Sequence, residues 1–236
     1  HRKFLLDYFT GEFESSLSRG QPFGLDEKSG DARISGSLAS LVGLEVALER
    51  NDEAAIQNCI DLILLLHGMI MSFGGIPLLY YGDEIGMLND FSFMEDEEKA
   101  HDTRWIHRPV IDWDKAERRH QRGTPEQQLF EGIARMIAVR KNTPAFADFN
   151  NRELIATNNP HLFAFMRSNP FESGDHVLVV GNFDESPQSL TLGDLGNRGQ
   201  FEFSRLRDLY SGEEPSMFKD QLVIPPFRFY WLTYKD

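Results

Sequence analysis

The sequence has 236 residues, 41% hydrophobic and 12% aromatic with 19 Phe, enough for a substantial packed core in one large domain or two smaller ones. Asp and Glu number 37 against 24 Lys and Arg, a formal net charge of −13. A surface this acidic argues against nucleic acid and anionic membranes as partners, since both are held by basic patches.

In chain order, residues 1–14 begin helically, with Phe4, Leu5 and Tyr8 spaced for one face before Gly11 interrupts. Residues 18–37 are rich in Gly, Ser, Asp and Pro and predict an irregular, ordered loop, at whose end Ser35 or Ser37 can cap the next helix. That helix is short, with an apolar stripe read over Leu38, Leu41, Val42, Glu45, Val46 and Leu48. Residues 52–72 carry the strongest helical period, through Ile56, Ile60, Ile63, Leu64 and Met71, with Leu62, Leu65, Leu66 and Met69 on the other flank. A helix apolar almost all round predicts burial on more than one side. Its purely apolar stretch, Leu62–Leu66, is too short to span a bilayer. Cys59, the single cysteine, excludes an intramolecular disulfide and reads here as a small buried hydrophobe. His67 on the same helix reads as a satisfied core histidine.

Gly74 and Gly75 end the helix, and Ile76–Tyr81 is a continuous apolar run too short for an isolated helix. That pattern predicts a parallel strand buried on both faces, with Gly82-Asp83-Glu84 at the C-terminal end where barrel enzymes carry their functional side chains. Residues 86–123 form a long loop, acidic at 94–98, of the kind that is usually functional. Thr124-Pro125-Glu126-Gln127 is a capping box with Pro at the first helical position, and Asn142-Thr143-Pro144 stops the helix it opens. From about Phe146 the period becomes two. The runs Leu162–Ser168, His176–Phe183, Gln188–Leu192, Phe201–Leu206 and Phe227–Tyr234, divided by turn residues, predict an antiparallel sandwich.

The expected fold class is therefore α/β plus all-β: the C-terminal part of a (β/α)8 (TIM) barrel followed by an antiparallel β-sandwich domain. Residues 1–50 form a loop-rich insertion, 51–145 the last barrel helix-strand-helix units, and 146–236 the sandwich. A closed barrel takes about 250 residues by itself. With one barrel strand in this sequence and a start at His1 rather than Met, the remainder of the barrel is expected upstream of His1.

The run GGIPLLYYGDEIGMLND resembles the last barrel strand of the α-amylase family of glycoside hydrolases, which has G-x-P-x-x-Y-x-G-D-E-x-G there. HRKFLLDYF, GDARISGSLASLVGLE, DTRWIHRP and IAVRKNTPAF are similar to amylosucrases and the closely related sucrose hydrolases, as are VVGNFDESPQSL and IPPFRFYWL in the C-terminal part. The resemblance implies a retaining enzyme that cleaves sucrose and transfers glucose to an α-1,4-glucan, releasing fructose, without a cofactor. It implies a nucleophile Asp and an acid Glu on the fourth and fifth barrel strands and a His-Asp-Asp after the seventh, all upstream of His1. No catalytic residue is expected in this chain, which alone should be inactive.

The same resemblance matches Arg104 to an arginine that closes the floor of the glucosyl pocket. It matches Arg33 and Arg2 to arginines on the acceptor side, and Phe4 to a ring that contacts sugar there. Guanidinium forks and aromatic faces suit sugars, which offer hydroxyls and apolar C–H faces. Against these stand plainer readings: a surface ion pair of Arg104 with the adjacent Asp102, and a core role for Phe4. Asp83 and Glu84 cannot both aim at one substrate, because neighbours on a strand point to opposite faces, and the resemblance implies for them a structural role behind the substrate-contacting residues. His101, Asp102 and His107 fit no common zinc spacing, so no metal is expected. The expected partners are sucrose and α-glucan, with no nucleic acid and no membrane. Two alternatives stay open: a sucrose hydrolase or other α-amylase-family hydrolase, and a non-catalytic carbohydrate-binding module. With no leader-like stretch at its start the chain reads as cytoplasmic, and a leader ahead of His1 would instead mean secretion.

Overall fold

The computed structural model describes residues 1–169, 171, 176–191 and 206–234. The predicted turn at Gly193-Asp194 and all of the predicted run 201–206 except Leu206 lie outside those residues. The chain divides into two compact units, 1–63 with 79–131 and 64–78 with 132–236.

In the first unit, α1 (Arg2–Phe9) ends before Gly11, whose φ is +80°. A two-stranded antiparallel ribbon follows, β1 (Gln21–Phe23) and β2 (Arg33–Ser35). The helix expected over 38–48 is two helices, α2 (Leu38–Leu41) and α3 (Leu44–Arg50). Gly43 separates them at φ +98°, where a Cβ would also lie 2.6 Å from the Cβ of Leu17. Of the two candidate caps it is Ser37 that accepts the Ser40 N–H, at 3.2 Å. Asn89 ties this corner to the loop beyond residue 86: its Oδ1 accepts from the Ser37 N–H at 2.8 Å and its own N–H donates to Ser40 Oγ at 2.9 Å.

Helix α4 (Glu53–Phe73) starts where the Asp52 carboxylate accepts the Ala55 N–H, at 3.0 Å, and ends at Gly74 and Gly75, both with positive φ. Taken whole, its 21 residues are long and apolar enough to cross a membrane, which the run 62–66 alone is not. Instead Ile60, Ile63, Leu65 and Met71 are buried within the protein. The long loop carries 3-10 turns and α5 (Trp113–Glu117), and α6 (Pro125–Lys141) follows. Thr124 Oγ1 accepts the Gln127 N–H at 3.2 Å, and the Gln127 side chain reaches back one residue further than a standard capping box, to the Gly123 N–H at 3.1 Å.

The predicted strand Ile76–Tyr81 is corrected by the structure. After Gly75 the backbone runs through 76–80 without a ladder partner and then turns, and Asp83–Ile85 is a 3-10 turn. A parallel strand exists only through hydrogen bonds to neighbouring strands, and no described residue supplies them. Ile76 and Leu78 are accordingly 84% and 83% exposed. The opposite-face argument for Asp83 and Glu84 lapses with the strand.

In the second unit, β3 (Arg152–Ile155), β4 (Leu162–Ser168), β5 (His176–Asn182), β10 (Phe229–Tyr234) and β7 (Leu206–Asp208) form one antiparallel sheet in the order β3-β4-β5-β10-β7. The second sheet has the order β6-β9-β8, from Gln188–Thr191, Gln221–Ile224 and Met217–Phe218. Leu162, Ala164, Met166, Leu178, Val180 and Leu232 from the first sheet meet Leu190, Leu222 and Ile224 from the second in one core. Strand side chains alternate, so Phe165, Val179 and Trp231 leave the opposite face of the larger sheet. That face packs on the last turns of α4. Phe73 meets Phe165 edge-on at 5.4 Å, and Gly181 lies where a Cβ would be 2.7 Å from Leu65. Arg167 is fully buried there. It closes the end of α4 by donating to the Ser72 carbonyl, and it also binds the Asp148 carbonyl and Asn151 Oδ1.

Candidate functional site

All four arginine and aromatic candidates lie in the first unit, on α1, the β1–β2 ribbon and the 3-10 turn Thr103–His107. The ribbon is closed by residues 24–32, where Gly24 and Gly30 take φ of +64° and +68°. Asp26 organises that loop, its carboxylate accepting the Lys28 N–H at 2.9 Å. This bond, with others from Ser29, holds its carboxyl below the ordinary carboxylate range.

Arg2 projects from α1 to Asp31 in the same loop, Nη1 to Oδ2 2.5 Å. Between α1 and the ribbon lies an open groove of about 700 Å³, lined by Arg2, Leu5, Leu6, Asp31, Arg33 and Ile34. The structure thus brings Arg2 and Arg33 to one groove. Phe4 is turned aside from its lining, half-exposed and packed on Tyr8 and Phe13 at centroid distances of 6.3 and 5.3 Å. A core role for Phe4 is not what the structure shows.

Arg104 forms the ion pair that the adjacent acid suggests. Its Nε lies 2.8 Å from Asp102 Oδ1 and its Nη2 2.8 Å from Oδ2, while Asp102 also caps the turn through the Arg104 N–H at 3.0 Å. These bonds bring the Asp102 carboxyl down to about 2. Arg104 and Arg33 also share a ring that sequence reasoning missed. Their guanidinium carbons lie 4.7 and 5.1 Å from the centroid of Phe23, within cation–π range. The Thr103 hydroxyl fastens the turn to the ribbon by donating to the Pro22 carbonyl at 3.0 Å.

Glu84 closes its own turn by accepting the Gly82 N–H at 2.7 Å. Gly82 takes φ +90°, which places that N–H within the carboxylate's reach. Behind the Arg104 turn, His107 meets Tyr80 edge-on at 5.8 Å, and burial, followed by the charge of Arg108, lowers its pKa. Among the described residues no three His, Cys, Asp or Glu side chains are placed to hold a metal ion.

The groove and its arginines can bind hydroxyls or an anion.

Residues 152–231, the whole of the described larger sheet but its last strand residues, match the family described as Maltogenic Amylase, C-terminal domain. The fold also has likenesses among solved structures. AmyP bound to maltotriose superposes with a TM-score of 0.57 at 18% identity, over 83% of this chain and 38% of that one. The fold is that of an antiparallel β-sandwich following the C-terminal part of a (β/α)8 barrel, and among the described residues the part before the sandwich is made of helices, turns and one two-stranded ribbon.

In sequence, the chain is similar to the trehalose synthase/amylase TreS of Mycobacterium tuberculosis, 29% identical over 216 residues, which is 79% of this chain and 34% of the relative. It is also similar to the trehalose synthase of Pimelobacter sp., 26% identical over 217 residues, 81% of this chain and 36% of the relative. The chain spans about a third of the length of these curated relatives.

Proposed function

We propose that this chain is the C-terminal portion of an α-amylase-family enzyme that moves glucosyl units from sucrose to an α-1,4-glucan, in the manner of amylosucrases. The observation that carries the reading is the convergence of Arg33 and Arg104 on Phe23, beside a groove that also takes Arg2. In this reading Arg104 walls the glucosyl pocket, and Arg33 and Arg2 offer donors to the incoming acceptor. The nucleophile and the acid, about 5 Å apart in retaining enzymes, belong to barrel residues upstream of His1. A charge of −13 suits a neutral substrate.

The names of the relatives favour a second reading, trehalose synthesis or amylase action, in which the same arginines bind another α-glucoside.

The test uses the whole protein with sucrose and glycogen, followed by chromatography of the products. Fructose release with glucan elongation is the expected result, and residues 1–236 alone should release none. Glucose and fructose in equal amounts would make the enzyme a sucrose hydrolase. Inert sucrose with trehalose formed from another glucoside would replace the reading by the second. Glucan binding by a whole protein that turns over no glucoside would leave a carbohydrate-binding module.

A further inference from the structure

The geometry points to Phe23 as a positioning residue that holds Arg33 ready for an incoming sugar hydroxyl and so biases transfer against hydrolysis; this rests on the glucosyl-transfer reading above. Phe23 and Arg33 are directly opposed across the β1–β2 ribbon, so their side chains leave the same face. The Arg33 guanidinium carbon lies 5.1 Å from the ring centroid and that of Arg104 lies 4.7 Å away.

The two arginines differ in what else holds them. Arg104 is clamped by Asp102 through Nε and Nη2, at 2.8 Å each, and its turn is fastened to β1 at Pro22. The Arg33 side chain has no hydrogen-bond or ion-pair partner among the described residues, so the ring is what restrains it.

That difference has a chemical consequence. A π face attracts a guanidinium without accepting any of its N–H bonds, whereas a carboxylate in the same place would occupy the fork. Phe23 therefore orients Arg33 and leaves its donors free, while Arg104 has part of its fork already occupied. Loss of the ring should unsettle Arg33 and spare Arg104, so the effect falls on the acceptor step.

The test uses the whole enzyme with Phe23→Leu, Phe23→Tyr and Arg33→Ala, and the double variant of Phe23→Leu with Arg33→Ala. Phe23→Leu should raise the acceptor KM about two- to five-fold, the equivalent of one exposed cation–π contact. It should shift products from transfer towards hydrolysis, with a smaller change in kcat. Phe23→Tyr should restore both, and in the Arg33→Ala background Phe23→Leu should add nothing. An unchanged acceptor KM, or an effect of the same size without Arg33, would overturn the inference. A second arm needs no turnover: the ring-current shift of the Arg33 Nε–H should vanish in Phe23→Leu and persist in Phe23→Tyr. A shift that survives Phe23→Leu refutes the positioning even if transfer is observed. A protein that transfers nothing yet loses the shift refutes the functional reading and keeps the contact.

Discussion

The Asp102 carboxyl lies under Arg104, whose side-chain hydrogen bonds bring it from an ordinary 3.8 down to about 2. A carboxylate whose pKa falls on folding stabilises the folded chain above its ordinary value, and that contribution is lost as the pH drops from about 3.8 towards about 2. In an NMR titration the Asp102 midpoint should lie near 2 and return towards the ordinary range in Arg104→Gln; a midpoint indifferent to the substitution would remove Arg104 as the cause. Cys59 shows the opposite influence, since burial pushes its thiol up to about 11 while its Sγ lies 3.3 Å from the Val42 carbonyl. The sequence reading of Cys59 as a small buried hydrophobe agrees with its burial. At this scale Arg2, Arg33 and Arg104 were legible because they sit in motifs. Phe23 was not, because its partner depends on strand register, and register depends on how residues 24–32 close.

Within the helices, α4 offers a contest between propensity and packing. Replacing Gly68 by Ala would gain about 1 kcal/mol of helix propensity. The added Cβ would lie 2.8 Å from the Phe229 ring, in a packed layer. Overpacking costs about 1–3 kcal/mol, so packing should win and Gly68→Ala should lower stability by up to about 2 kcal/mol. A lower urea midpoint with an unchanged slope is the expected result, and a raised midpoint would show that Phe229 can yield. The start at Thr124 and the stop at Gly74-Gly75 were readable in advance, since these residues act through their nearest neighbours in sequence, whereas the Asp52 cap was found only in the structure. The break at Gly43 was not anticipated. It follows from the approach of Leu17, a contact between residues far apart in the chain.

At the scale of the whole molecule, the stretch 76–80 separates what a strand-like sequence promises from what pairing delivers. Its amides have no backbone acceptors among the described residues, whereas those of Leu178, Val179 and Val180 lie between β4 and β10. In hydrogen exchange on residues 1–236, Ile76, Leu78, Leu79 and Tyr80 should exchange rapidly while 178–180 are strongly protected. Comparable protection at 76–80 would mean that a partner strand is present in solution. The sandwich needs no such partner, because each of its strands finds its neighbours among the described residues.

The sequence by itself determined where α4 and α6 lie, the cap at Thr124 and the two-residue period of the sandwich, since these arise from interactions a few residues apart and from the burial of one face. It also placed the basic residues of the site in recognisable motifs. Tertiary structure alone decided the sheet order, the shared ring of Phe23 and the unpaired state of 76–80. Each of these depends on which distant backbone reaches which, and an apolar run or an arginine cannot specify that locally.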